Sequence, residues 1–519
     1  MKIFRAAALA ALFLIGMLAP AMAQDVTLTS RDGKVSVSGT LLSFDGEFYR
    51  VQSIYGALTL DGTGVTCAGI GCPNLESYVA EFSITGARSM GAVLLPTLVE
   101  MFAEQSGMRV KRIVQDDSHY TYILRLAETD KDIARIAFRI SNTDGGFAEM
   151  LNGDADMVLA TREINSAETK AALKAGLGDM KRAARSRIVA LDGLVPVVAQ
   201  DNPVTTVSLM DLARIYAGDI TSWQDIGGPD APIFMHHLSA DTGLAQQFET
   251  DVMGLEKHDL AASIKHHETA AEVADAVARD PFSIGITRFS EIGNAKMLTL
   301  RGTCGMAFTA SRRGLKTEDY PLATPLFLYT PARRLPKTAR EFLAFLRSPA
   351  AQRAVRHVGF VDQDVTQIGI DDQGKRFANA IAAAGDETRL ADLQQMIEAL
   401  RPAARLTINF RFNTGSSSLD AQSRSNVVLL ARLLEAGVYD GRELMFVGFS
   451  DGEGAASGNR TISQHRAKAV RAAVKLAATT MKPDQTTLST KAFGEALPMA
   501  CDDTEWGRQV NRRVEVWIK

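Results

Sequence analysis

Four cysteines, three tryptophans and an aromatic share of 7% in 519 residues leave too little for a disulfide-dense or aromatic-lined scaffold. Charge of one sign is equally scarce: 57 Lys and Arg stand against 60 Asp and Glu, a formal net charge of −3. Removing Lys2 and Arg5 with an N-terminal leader takes −3 to −5, which argues against nucleic acid as a partner. Beyond the N-terminus no apolar run is long enough to span a bilayer. Gly-x-Ser-x-Gly, His-Glu-x-x-His and phosphate-loop motifs are missing, so neither an enzyme nor a cofactor is expected. Ser239 near His237 has no identifiable third partner for a triad. His236, His237, His258, His266 and His267 lack a Cys or carboxylate at ligand spacing, and no metal site is expected.

What is present begins with a leader. Met1 to Ala23 has a basic start, an apolar run from Ala6 to Leu18, and Ala21-Met-Ala23 as a small-x-small site. This predicts a secretory signal cleaved after Ala23 and a soluble, exported mature protein. No Cys follows the site, so a lipid anchor is not expected. In an oxidising compartment Cys67 and Cys72, flanked by Gly and Pro, are expected to form a small-loop disulfide. Cys304 and Cys501 can pair only if their two domains touch; two buried thiols are the expected state.

The length predicts two to four domains in the mature chain. After the signal (1–23), residues 24–80 read as a small β-rich segment with turns at Arg31-Asp-Gly33, Phe44-Asp-Gly46 and Leu60-Asp-Gly62. Residues 81–370 repeat strand, loop and helix, which predicts an α/β layered domain. Residues 371–403 carry Leu390, Leu393, Ile397 and Leu400 at helical spacing and read as a helical linker, expected to be a spacer. Residues 404–519 alternate strand and helix again: strand Arg405 to Phe412, helix Asp420 to Ala436, strand Glu443 to Gly448, helix Thr461 to about Ala478.

That last region holds Gly448-Phe-Ser-Asp451, then Asn459-Arg-Thr-Ile-Ser-Gln-His-Arg-Ala467, then Asn511-Arg-Arg-Val-Glu-Val516. In order and spacing these resemble the OmpA-like peptidoglycan-binding domain. The resemblance implies contact with the meso-diaminopimelate of the wall's peptide stem. That ligand sets an ammonium beside a carboxylate, so its receptor needs a fixed anion and a fixed cation. The resemblance assigns Asp451 to the ammonium and Arg466, whose guanidinium can grip a carboxylate with two hydrogen bonds, to the carboxylate. Asn459, Asn511 and Arg512 support them. Phe449 and Ser450 stand where the family usually has His and Thr.

Three junctions in the middle region share a design. Strands around Phe82-Thr85, Ile136-Ile140 and Ile233-Leu238 each run through a polar loop into a helix, with hydroxyls at the helix start. Unpaired N–H groups and the helix dipole favour an anion there. Gly153 to Arg162, Val204 to Trp223, Tyr320 to Tyr329 and Glu341 to Gln352 resemble landmarks of the phosphate-type periplasmic solute-binding proteins. Their type II fold is two α/β lobes closing over a ligand in the cleft between them. By position the resemblance gives Ser89 in the first loop, Ser141, Thr143 and Gly145 in the second, and Ser239, Thr242 and Gly243 in the third, with Thr161 and Arg162 at a cleft-facing strand end. Asp144 and Asp241 add carboxylates that Arg88 and Arg162 could compensate.

The expected protein is thus an α/β chain: a two-lobed periplasmic-binding-protein fold, preceded by a small β-rich segment and followed by an OmpA-like sandwich. It is expected to be a periplasmic, wall-associated binder of phosphate or a similar small oxyanion, held on peptidoglycan and serving an ABC transporter or sensor. The alternative is a wall-bound scaffold whose cleft is degenerate or reads a protein partner.

Overall fold

The computed structural model describes residues 25–519 apart from Glu256, Asp386, Thr414, Gly415, Ser417 and Pro483; the expected signal peptide lies outside the described residues. Antiparallel strands Val26–Ser30, Ser36–Phe44, Phe48–Ser53, Gly56–Asp61 and Val65–Ala68 form the first sheet. Its small core is Val26, Leu28, Tyr49 and Val51. Cys67 and Cys72 are disulfide-bonded at its edge. Asp45 turns the chain by accepting the Glu47 and Phe48 N–H groups (2.9 and 2.7 Å) and also pairs with Arg334, docking this sheet onto the next domain.

A mixed sheet then runs through two lobes. Strand Ala80–Ala87 pairs in parallel with Asp132–Ser141 and Met157–Ala160 in the first lobe. Phe234–Leu238 pairs in parallel with Ser283–Arg288 and Lys265–His267 in the second. The strand Ser186–Val198 joins them. Its first half pairs with Ala323–Tyr329 and its second with Ser283–Arg288, so one buried strand crosses between lobes. Local sequence sets the helix limits around it. Ser208 caps Leu209–Ala217 by accepting the Asp211 N–H at 2.9 Å, and Gly218 ends that helix in the left-handed region.

In the last sheet, strands Ala404–Arg411, Arg513–Ile518, Glu443–Gly448 and Thr487–Ala492 are neighbours in that order, with Gln367–Ile368 at the edge. Period-two alternation buries both faces. Leu406, Ile408, Phe410, Leu444 and Phe446 pack under helices Ala421–Glu435 and Ala456–Ala477. Met445, Val447, Phe449 and Trp517 pack under Ala380, Leu393, Met396 and Leu400 from helices Gly374–Ala382 and Leu390–Leu400. The expected spacer is therefore a second layer on the sheet, because its apolar stripe meets the odd-numbered apolar side chains of strand Glu443–Gly448. Helix Ala456–Ala477 starts five residues earlier than the sequence pattern predicts, placing Asn459 inside it and Arg466 in its third turn.

The alternate residues of strand Ala404–Arg411 face the two lobes. Arg405 grips Asp319 with two hydrogen bonds (2.7 and 3.1 Å), Asn409 donates to the Thr317 carbonyl, and Arg411 donates to the Glu318 carbonyl. Arg424 pairs with Glu163 of the first lobe, and Trp506 packs edge-on against Phe308 of the second at 5.7 Å. Cys304 and Cys501 form a disulfide, with Cα atoms 5.7 Å apart. The two expected buried thiols are corrected by this contact: the domains touch, and the hairpin around Cys304 lies against the loop around Cys501.

Burial pushes the Glu318 carboxyl up to about 8, with Arg411 only partly opposing. A carboxyl whose folded-state pKa is raised binds more protons folded than unfolded, so stability falls as pH rises from the ordinary Glu range towards 8. Denaturation midpoints measured from pH 5 to 8.5 should drop across that window, and Glu318→Gln should flatten the drop. An unchanged slope in the variant would assign the pH dependence elsewhere.

Candidate functional site

The lobes enclose a cleft of about 640 Å³, lined from the first lobe by Ser89, Ser141 and Thr161 and from the second by Thr242, Gly243 and Arg288. Of the sequence-predicted residues, Thr143, Gly145, Arg162 and Ser239 stand behind this lining rather than in it. Most predicted hydroxyls already have protein partners. Thr143 Oγ1 lies 3.3 Å from Thr161 Oγ1 and accepts the Thr161 N–H at 3.1 Å, both residues being buried. Ser239 Oγ donates to the His267 carbonyl at 3.3 Å, and Ser141 Oγ to the Asn142 carbonyl at 3.3 Å. Thr242 Oγ1 accepts the Ala245 N–H at 3.2 Å, as Asn142 Oδ1 accepts that of Gly145 at 2.8 Å, so both act as helix caps. Ser89 Oγ is enclosed and has no hydrogen-bond partner among the described residues.

The lobes touch where the second and third loops meet. A Cβ on Gly243 would overlap Thr161 Oγ1, so only glycine permits this approach. Gln246 of the second lobe donates to Asp144 of the first at 3.0 Å. Arg162 is consumed by carboxylates: it grips Glu168 at 2.7 and 2.9 Å and pairs with Asp144. Burial works against the Asp144 charge, but the Arg162 and Gln246 hydrogen bonds hold its carboxyl below the usual range. His236 and His267 face each other at 2.8 Å, and burial followed by the His267 neighbour pulls His236 down to about 4.

In the C-terminal domain Asp451 follows strand Glu443–Gly448 and is 8% exposed. Gly448 is required there, since a Cβ would overlap the Ser463 carbonyl where strand and helix cross. Asp451 Oδ2 accepts from Arg512 Nη1 at 2.7 Å, and Arg512 also pairs with Glu505 at 2.6 Å. Arg466 donates no hydrogen bond among the described residues; its guanidinium lies 5.5 Å from the Phe412 ring centroid. Burial and then the Arg512 charge lower its pKa, while Asp451 opposes both. Asn459 Nδ2 donates to Glu495 at 2.7 Å. Asn511 is buried, accepting from the Met499 N–H at 2.6 Å and donating to Asp502 at 2.8 Å. Phe449 is fully buried on the sheet face that the linker helices cover, with the Arg513 guanidinium 4.4 Å from its ring centroid. The extra helical layer thus accounts for an apolar residue where the family usually has His.

Residues 75–350, more than half of the chain, match the family model of the PBP superfamily domain. The chain belongs to the PBP superfamily. Residues 411–512 match the OmpA family. This PBP-superfamily chain is 28% identical over 295 residues to Protein SphX of Synechococcus elongatus, covering 52% of this chain and 84% of that one. It is 23% identical over 198 residues to the phosphate-binding protein PstS of Borreliella burgdorferi, covering 35% and 67%. The solved ABC-type phosphate transport receptor from Vibrio cholerae aligns with 54% of this chain and 99% of its own, at 21% identity and a TM-score of 0.41.

Sequence reasoning missed Arg288, the cation on the PBP cleft's wall. Its signal was a charged residue ending the otherwise uncharged strand Ser283-Ile-Gly-Ile-Thr-Arg288, every residue of which is buried. Among the described residues no helix is long and apolar enough to cross a membrane.

Proposed function

We propose that this protein is an exported, envelope-associated receptor that captures phosphate or a similar small oxyanion between its lobes and is held on peptidoglycan by its C-terminal module. Binding, not catalysis, is its activity, and the bound solute passes to an ABC transporter or sensor. The observation that carries the reading is the pairing, in one chain, of the interlobe cleft with a C-terminal module whose Arg466 guanidinium has no hydrogen bond among the described residues. In that module Asp451 would receive the ammonium of diaminopimelate, exchanging Arg512 for it, and Arg466 its carboxylate; Asn459, Asn511 and Arg512 hold the surrounding loop. Ser89, Ser141, Thr161, Thr242 and Gly243 line the cleft, while Thr143, Gly145, Arg162 and Ser239 shape the loops behind them.

A second reading, a wall-bound scaffold, draws support from the contact of Gly243 with Thr161 and from the clamping of Arg162 by carboxylates. One experiment separates them. The mature protein, stripped of ligand, should be stabilised by phosphate in a thermal-shift screen of oxyanions and should sediment with purified peptidoglycan. A ligand at a hundredfold excess over its dissociation constant adds about 2.7 kcal/mol. Asp451→Ala should abolish sedimentation and leave the thermal shift intact. Silence across the anion panel with sedimentation preserved would leave the scaffold reading.

A further inference from the structure

Resting on the reading of the cleft as a solute site, we propose that Arg288 receives the anionic head of the solute, and that the solute is an organic oxyanion with an uncharged or cationic stem. Arg288 is 4% exposed and lines the cleft. Its guanidinium carries five donors in a rigid fork that matches a carboxylate or tetrahedral oxyanion. Among the described residues it makes one ion pair, with Asp192 at 3.9 Å, and no hydrogen bond. Asp192 itself is saturated: it accepts from Ser290 Oγ at 2.7 Å, the Gly193 N–H at 2.9 Å and the Ser290 N–H at 3.1 Å. Its guanidinium nitrogens are not among the enclosed, unpaired polar atoms, so they stay open to the cleft, where an incoming oxyanion can accept charge-assisted hydrogen bonds from them.

The other cations near the cleft are less suited. Arg162 is clamped by Glu168 and Asp144. Arg88 also lines the cleft, but it is exposed and donates to Ser118 Oγ at 3.1 Å. The position between the second and third loops is filled by the Thr143–Thr161 hydroxyl contact and the approach of Gly243. An anion entering the cleft therefore meets at Arg288 a guanidinium that shares its charge with Asp192 and Glu291 but keeps its hydrogen-bond donors free.

Size and lining decide the rest. The lobes already touch, yet about 640 Å³ remains. A bare tetrahedral oxyanion displaces only a few waters of about 30 Å³ each, which leaves most of the cleft unfilled. Val93, Leu238, Val358 and Phe360 supply apolar wall for a stem. Asp241, Glu268 and Glu291 line the same cleft and would repel a second anionic group.

The test is titration calorimetry of the ligand-free full mature chain with inorganic phosphate, 2-aminoethylphosphonate and succinate. The expected order has 2-aminoethylphosphonate at least about tenfold tighter than inorganic phosphate, with succinate weakest. Arg288→Gln should weaken the best binder by at least about tenfold, the loss of charged hydrogen bonds, while Arg88→Gln stays near wild type. Circular dichroism and the thermal unfolding midpoint report whether Arg288→Gln is folded. Should it misfold, Arg288→Lys keeps the charge without the fork and should still weaken binding. Wild-type affinity in Arg288→Gln or Arg288→Lys overturns the assignment of Arg288, and inorganic phosphate binding as tightly as 2-aminoethylphosphonate overturns the organic stem. Both results leave the oxyanion-receptor reading standing. No binding by any of the three probes to wild type overturns this proposal, and a silent oxyanion panel overturns the receptor reading with it.

Discussion

Glu515→Ala should lower the free energy of unfolding by about 3–5 kcal/mol, the cost of stranding buried charge whose partner has been removed. Glu515 has no exposed surface. It accepts from Arg513 Nε at 2.8 Å and Trp517 Nε1 at 3.0 Å, pairs with Arg376, and lies 3.4 Å from Arg405 Nε. Burial alone would raise its pKa, but the Arg376, Arg405 and Arg513 charges outweigh it and hold the carboxyl far below the usual range. A depressed carboxylate stabilises the fold above its unfolded pKa and loses that contribution only as pH falls through the folded value. The cluster should therefore be insensitive to pH between 6 and 8, unlike Glu318. Urea denaturation at pH 7 checks the effect, with Glu515→Gln keeping the Trp517 acceptor but not the charge. A loss below about 1 kcal/mol for Glu515→Ala would mean that water reaches the three guanidinium groups.

This cluster also shows where sequence reading stops. Arg405-Leu-Thr-Ile-Asn-Phe-Arg411 alternates cleanly, and its strand and the inward Leu, Ile and Phe were legible from period two alone. The same alternation reads the Arg and Asn side chains as solvent-facing. They are buried because a second domain supplies Asp319, the Thr317 carbonyl and Glu318, partners about ninety residues away that no local pattern announces. The linker failed for a related reason: its stripe of Leu390, Leu393, Ile397 and Leu400 was visible, but not the sheet face that Leu393, Ile397 and Leu400 cover while Leu390 stays exposed. In the cleft, helix-start loops were legible because Asn142 and Thr242 cap their helices. Which hydroxyls stay available depends on the approach of Gly243 to Thr161, a distance set by both lobes together. Arg288 escaped because it carries no loop signature.

Removing the Cys304–Cys501 disulfide should be the second large effect. Its partners are 197 residues apart in sequence, so it closes a long loop of the unfolded chain, and loss of such a bond typically costs about 2–5 kcal/mol. Cys304→Ser with Cys501→Ser, or wild type under reductant, should unfold at correspondingly lower urea than oxidised wild type. The bond should matter for the proposed wall site as well. Asp502, next to Cys501, accepts the Gly452 N–H at 2.7 Å and the Asn511 amide at 2.8 Å, so it fixes the loop that presents Asp451. Loosening Cys501 from Cys304 should therefore weaken sedimentation with peptidoglycan, although neither cysteine belongs to the proposed diaminopimelate site. Proteolysis within residues 383–389, between the two linker helices, should leave fragments that separate only after reduction, because the cysteines lie on opposite sides of the cut. Unchanged stability and sedimentation in the double serine variant would mean that the Arg405–Asp319 and Arg424–Glu163 pairs suffice to hold the domains. The disulfide would then add covalent continuity to an interface already closed by charge.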